Sequence, residues 1–409
     1  MGKLKVVKLV LACALLAAQA AAQASTQAPT SDPERIFAHA VQLHQQGDFQ
    51  GAIIEYEAFL ALSPNRPDAH SNLGAALAHL GRYEDAIAEY KRALSIQGRN
   101  PGIRFNLALA LYKTAHFSEA AGELAQVIAG QPDNKNAILV VADCHLRMGE
   151  FKKVIDLLTP LDVGGNADRT VAYLLGTALI NDNQVEKGQV YINRILGEND
   201  SAEGHVMMGA AHLMAREYKE AIAEFQHAFE LNSKLPTVHS LYARAMLGFG
   251  DRVAAIAAFK TELEIDPNDF DSNVYIGMLL KQDEKYDDAL AYLKRAALVR
   301  PGDVNVLYYL GSLYVSQGKA AEASPLLEQV VKAAPDFTEA HVSLATAYYR
   351  LKRKEEGDRE RAIIQKLNAQ KQAAAPGAKE ELGPAYRGEP ASVGPKPPSP
   401  PEKQTEKKP

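Results

Sequence analysis

The 409-residue chain has no tryptophan, two cysteines and 7% aromatic residues, and it lacks the patterns that usually announce chemistry. No G-x-x-x-x-G-K-[ST], no G-x-G-x-x-G after a strand, no H-E-x-x-H, no C-x-x-C and no G-x-S-x-G occurs. Those patterns cradle phosphate, hold zinc, exchange electrons or raise a nucleophilic serine. Their absence argues against an enzyme, and no cofactor or metal is expected. No stretch alternates apolar and polar residues with the period of a strand, which leaves no sheet to carry a site. A basic excess is missing too: the net charge is −5 and the isoelectric point near 6.2, which speaks against nucleic acid as a partner.

At the N-terminus Lys3, Lys5 and Lys8 flank an apolar run from Leu9 to Ala18, and Ala22-Gln23-Ala24 offers an A-x-A cleavage site. Residues 1–24 are expected to be a secretory signal peptide and 25–32 a polar linker. Gln19 and Gln23 interrupt the run too soon for an uncleaved anchor, and too few apolar residues separate Lys8 from Cys13 for a lipoprotein signal. Cleavage implies a periplasmic or extracellular protein with no stable transmembrane segment and a net charge of −8. Cys144 then remains as the one thiol, so no intrachain disulfide forms and packing alone holds the fold. Its inward helix position suits a small hydrophobe. Nine of the 21 prolines crowd into residues 376–409, and residues 372–409 are expected to be a disordered, partly polyproline-like tail.

Between these ends one module recurs. Its best-formed copy is residues 67–100, read as two amphipathic helices joined at Gly81. Leu73, Gly74 and Leu77 share one stripe; Ala86, Tyr90 and Ala93 share the other. Gly81 is expected to need a left-handed backbone at a point where a side chain would clash. Copies begin at 33, 67, 101, 135, 169, 202, 236, 270, 304 and 338, each step being 34 residues except the 33 from 169 to 202. Position 8 is Gly or Ala in all ten, position 20 is Ala in seven of nine, and position 24 is large and apolar from Tyr56 to Leu327. Position 32 is proline in five copies, which ends a helix. A module this short cannot bury its own faces and needs neighbours.

The 34-residue period, with L-G-x-x-[LY] in the first helix and A-x-x-x-[FY]-x-x-A in the second, resembles the tetratricopeptide repeat (TPR) family. The resemblance covers residues 33–371. It implies an all-α, right-handed α-solenoid of about ten units, ended by a charged capping helix beyond Lys352. It also implies a protein-binding scaffold, without naming the partner. In the family, first helices line the concave groove through positions 2, 5, 6, 9, 12 and 13, and one groove mode clamps a C-terminal carboxylate. Asn72 and Asn106 match part of that clamp. Phe37 and Ser71 replace its lysine, however, and Gly102 and Val140 its later bases, so the clamp is not formed. The groove positions offer aromatics instead: Phe105, Tyr112, Tyr173, Tyr275, Tyr308, Tyr309 and Tyr349. Tyrosine combines large contact area with a polar tip, which suits recognition of a peptide or helical segment of a protein partner. An alternative role is an accessory subunit tethered by its tail to a cell-envelope enzyme or secretion complex.

Repeat 4 carries Thr159-Pro160 where its second helix should continue, followed by Gly164-Gly165, and repeat 5 has Gly188 at position 20. Proline costs about 3 kcal/mol and glycine about 1 kcal/mol in a helix interior. Residues 159–168 are thus either an irregular join or a hinge between repeats 1–4 and 5–10. His70, His205, His239 and His341 recur at position 4 and are read as half-packed structural residues rather than a metal ladder. Acidic residues such as Glu89 and Asp288 are read as members of solvated helix faces.

Overall fold

A computed structural model describes residues 32–162, 168–198 and 200–374. The expected signal peptide, all of the linker but Asp32, Gly164-Gly165 and the tail beyond 374 lie outside the described residues. Twenty α-helices occur among the described residues, two to a repeat, and no strand. Repeats 1–3 are α1 (Pro33–Gln45) and α2 (Phe49–Leu62), α3 (Pro67–His79) and α4 (Tyr83–Ile96), α5 (Pro101–Lys113) and α6 (Phe117–Gly130). Repeats 4–6 are α7 (Lys135–Arg147) and α8 (Phe151–Leu158), α9 (Arg169–Asn181) and α10 (Val185–Glu198), α11 (Ala202–Met214) and α12 (Tyr218–Leu231). Repeats 7 and 8 are α13 (Val238–Phe249) and α14 (Arg252–Ile265), α15 (Phe270–Gln282) and α16 (Tyr286–Val299). Repeats 9 and 10 are α17 (Val304–Ser316) and α18 (Ala320–Ala333), α19 (Thr338–Arg350) and α20 (Lys354–Ala374). The chain is an all-α solenoid.

Local chemistry starts these helices. Pro33, Pro67 and Pro101 each stand at the first position, where a missing N–H leaves no bond unmade. Asp32, Asn100, Asn134, Asp168, Ser201, Asp269 and Asp303 cap first helices by accepting backbone N–H bonds, each stabilising by about 1 kcal/mol. Repeat 7 departs from this. Thr237 is left-handed with φ +71° and caps nothing; Glu262 of α14 reaches across, accepting from Thr237 N at 2.7 Å and His239 N at 3.1 Å.

Within each repeat the two helices approach through small residues. A Cβ built on Gly74, Gly209, Gly277 or Gly311 would lie 2.9, 2.6, 2.7 and 2.7 Å from the ring or branch at position 24, namely Tyr90, Phe225, Leu293 and Leu327. Those position-24 side chains are buried throughout, as are the alanines at position 20. Gly188 fits the same rule, since its Cβ would meet Ile180 at 2.6 Å. Gly81 differs from expectation. Its φ of +75° is left-handed, but a Cβ there would meet nothing within 4 Å, so backbone conformation alone selects glycine.

The chain divides into two units, one ending at Tyr191 and the other beginning at Ile192. In the first, Val154 and Leu158 of α8 share a core with Val171, Leu174 and Leu175 of α9. Pro160 does end α8, which gives way to a 3-10 turn at Thr159–Leu161. Tyr191 donates to Asp162 Oδ2 at 2.7 Å and holds the end of that turn. The flanking helices thus belong to one core, not to separate bodies joined at 159–168. In the second unit, clusters centred on Phe225, Phe259, Leu293 and Leu327 follow one another from repeat 6 to repeat 10. The charged segment beyond Lys352 forms α20, with Ile364 and Leu367 half-buried.

Candidate partner-binding site

First helices of successive repeats touch one another within each unit, α15 with α17 and α17 with α19 among them. Their outward positions therefore adjoin across repeats. In repeats 9 and 10 the groove positions carry Tyr308 and Tyr309 on α17 and Val342 and Tyr349 on the adjoining α19. Tyr308 is half-buried, 4.6 Å from Phe337 and 5.5 Å from Tyr309 between ring centroids. Tyr309 donates to Met278 Sδ at 3.3 Å. Tyr349 is 40% exposed, lies against Gly357, and donates to Asp358 Oδ1 at 2.8 Å. Val342, one repeat on from Tyr308 at position 5, is 48% exposed. Burial pushes the Tyr309 phenol up to about 12 and also raises Tyr308, while the bond to Asp358 raises Tyr349. All three remain neutral hydroxyls at physiological pH.

The other expected aromatics fare differently. Tyr275 is not a surface residue: it is buried, stacked on Phe259 with centroids 5.1 Å apart, because its helix position faces the preceding repeat. Tyr112 is a joint between repeats. Its hydroxyl donates to Asp143 Oδ2, and the Arg147 guanidinium lies 5.1 Å from its ring. Tyr173 is half-buried against the repeat 4–5 core, and Phe105 is half-buried on α5. Phe105, Tyr112 and Tyr173 belong to the first unit and the remaining four to the second. Val342 and Leu109, both exposed at groove positions 5 and 9, went unnoticed because aromatic character was the signal followed.

Buried charge is the feature sequence reasoning most missed. Glu89 is not on a solvated face; it is 8% exposed, 2.6 Å from His70 Nδ1, and accepts from Arg92. His70 is itself buried, its Nε2 2.9 Å from the Pro64 carbonyl. His205–Glu224 at 2.6 Å and His341–Glu360 at 2.5 Å repeat the pairing, and Arg104–Glu123 takes the same place in repeat 3. In these four repeats position 4 therefore buttresses the second helix through position 23. His70 and Glu89 also wall a cleft of about 540 Å³ shared with Leu60, Pro64 and Arg92. In repeats 7 and 8 burial raises Glu262, and it pushes Asp269 up to about 7 with help from Asp271 and Glu262. Arg244 donates to Asp271 at 2.9 Å, and the Arg300 guanidinium sits 3.9 Å from the Phe270 ring.

The folded unit is thus a helix pair stacked on its copies, the architecture of a helical-repeat scaffold. Models described as tetratricopeptide repeat match residues 37–102 and, separately, residues 80–134, 280–344 and 314–375. The chain is a tetratricopeptide-repeat protein. Among curated proteins it is similar to Superkiller protein 3 of Schizosaccharomyces pombe, 28% identical over 160 residues covering 37% of this chain and 12% of that one. Protein O-mannosyl-transferase TMTC3 of Homo sapiens is 27% identical over 166 residues, 39% of this chain and 18% of that protein. BBSome complex member BBS4 of Bos taurus is 22% identical over 253 residues, 54% and 49% of the two chains. The chain spans less than half the length of each of these relatives. Among solved structures, the APC/C hetero-tetramer Cut9-Hcn1 matches with a TM-score of 0.49 at 12% identity, covering 83% of this chain and 88% of that one. The MamA RS-1 ArsTM double mutant matches with a TM-score of 0.38 at 19% identity, covering 43% and 98%. The repeat architecture is typically that of a non-catalytic protein-interaction scaffold, although one similar protein is named a transferase.

Proposed function

We propose that the chain is a non-catalytic scaffold, exported after removal of residues 1–24, that binds an extended or helical segment of a protein partner across α17 and α19. One observation supports this above others. Val342 and Tyr349 are exposed on α19, and on the neighbouring α17 Tyr308 and Tyr309 are half-buried, each packed in part against the core. The Thr346 hydroxyl donates to the Val342 carbonyl of its own helix, which leaves its oxygen as an acceptor for a partner's N–H group. A strip with aromatic anchors and a hydroxyl acceptor, edged by Glu339, Asp358 and Arg361, suits a segment that buries apolar side chains and offers backbone donors.

The test is crosslinking mass spectrometry of the protein in its cell envelope, with Val342→Glu and Tyr349→Ser beside an Ile54→Glu control on α2. All three positions are exposed, so folding should be intact by circular dichroism. Each groove variant is expected to weaken capture roughly 30-fold, the effect of losing an anchor worth about 2 kcal/mol. Unchanged capture in both groove variants would refute the site. An intact mass that retains residues 1–24 in the envelope fraction would refute export.

A further inference from the structure

Repeat 6 holds a cluster that neither the groove nor the helix buttress explains. Asp200, in the loop before α11, meets two imidazoles: His205 Nε2 lies 2.6 Å from Asp200 Oδ1, and His227 Nε2 of α12 lies 3.1 Å from Asp200 Oδ2. The three potential ligand atoms lie within 4.8 Å of one another. We propose that Asp200, His205 and His227 form a binding site for a divalent first-row transition metal, with Zn²⁺ the best fit.

The donor set carries the choice of ion. Two imidazole nitrogens and one carboxylate oxygen suit zinc and its neighbours, whereas calcium and magnesium favour oxygen alone. Bonds of about 2.0–2.1 Å place ligand atoms about 3.4 Å apart around a tetrahedral ion, a small adjustment from the present spacing. The outer nitrogens are already supported. His205 Nδ1 is 2.6 Å from Glu224 Oε2, and His227 Nδ1 is 3.5 Å from Glu230 Oε2. The Glu224 carboxylate behind His205 holds the proton on Nδ1 and turns the Nε2 lone pair toward the ion, while Glu230 stands behind His227 at longer range. The Asp200 side chain is 59% exposed, which leaves solvent access for a fourth ligand.

The other histidines at position 4 show why this copy differs. In His70, His239 and His341 the Nε2 atom faces a backbone carbonyl, of Pro64, Ser233 and Pro335 respectively, at 2.9, 3.0 and 3.0 Å. A carbonyl there demands an N–H and occupies the nitrogen a metal would need. In repeat 6 a carboxylate stands at that nitrogen, and a second imidazole joins it, the ring centroids 4.3 Å apart. The competing arrangement is proton-based, with His205 an imidazolium bridging Asp200 and Glu224.

Full-length mature protein without a histidine tag, stripped of metal and titrated with Zn²⁺ against a chromogenic chelator, distinguishes the two. The expected result is one tightly bound equivalent, with the visible absorption of a low-coordinate Co²⁺ complex when cobalt is substituted. His227→Ala and Asp200→Asn change exposed side chains and should abolish that equivalent while leaving the helical spectrum intact. Glu224→Gln should weaken binding about 10- to 100-fold as a positioning residue. His39→Gln, also exposed, should change nothing. Absence of a bound equivalent, or binding indifferent to His227→Ala, would overturn the proposal and assign the cluster to protonated ion pairs.

Discussion

Two kinds of small residue recur in this chain for unrelated reasons. At position 8, glycine or alanine exists for space, because position 24 of the partner helix presses on it. At position 15 the backbone is left-handed in all ten repeats, from Gly47 to Lys352. Open surroundings at Gly47, Gly81, Gly250 and Gly318 show that room is not the constraint there. Ala115, Asn183, Arg216, Glu284 and Lys352 accept the same conformation, at about 1–2 kcal/mol for residues other than glycine and asparagine. Glu284→Gly, on an exposed turn, should therefore stabilise the protein by about 0.5–1 kcal/mol, the relief of strain less the added unfolded-state entropy. Urea unfolding with a lower midpoint in the variant would contradict this. The glycines drew attention to the turn in the sequence; the non-glycine copies did not, because the requirement lies in φ and leaves no mark on side-chain type.

At the scale of the helix, repeat 4 is the informative exception. Pro160 stops α8 after eight residues, as its missing N–H and ring clash require. A break in a helix is not a break in a core, however, and Leu158 still packs with Val171 and Leu175. Hydrogen exchange should find the amides of 154–158 and 171–175 protected to a similar degree, opening together as one cooperative element. Protection of the second set without the first would restore the hinge. The recurring histidine at position 4 was equally half-legible. Its spacing marks a structural residue, but the glutamate that completes each pair stands 19 residues away on the other helix. Charge read one helix at a time places Glu89 in water; only the packed pair places it beside His70.

For the whole molecule, the period of 34 and the small-large alternation at positions 8, 20 and 24 carried the architecture, because every repeat solves the same packing problem. The proposed binding strip was less legible. Groove position and aromatic character pointed to Tyr308, Tyr309 and Tyr349, but the same criterion also selected Tyr275, whose ring fills the core. Buried acid adds a global consequence. With Asp269 pushed up to about 7 and Glu262 raised, the folded chain holds protons that the unfolded chain releases near pH 4. Stability should accordingly fall as pH rises from about 4 to 7, by at most about 1.4 kcal/mol per pH unit for each proton. Asp68 and Asp168, whose partners lower them, act with the opposite sign at more acid pH. Asp269→Asn keeps an acceptor for the Ser272 N–H and the neighbouring Arg244–Asp271 bond while removing one titration. Denaturant unfolding of this variant should show a flatter slope between pH 5 and 7; an unchanged slope would place the effect elsewhere.

Cys144 has no accessible surface, and burial, aided by Asp143, pushes its thiol up to about 12. A soluble thiol reagent meets a thiolate only when α7 leaves its place, since the thiolate is the reactive form. Cys144 is thus a chemical clock set in the fourth repeat, whose ticking records openings of that repeat and is silent about every encounter at the surface.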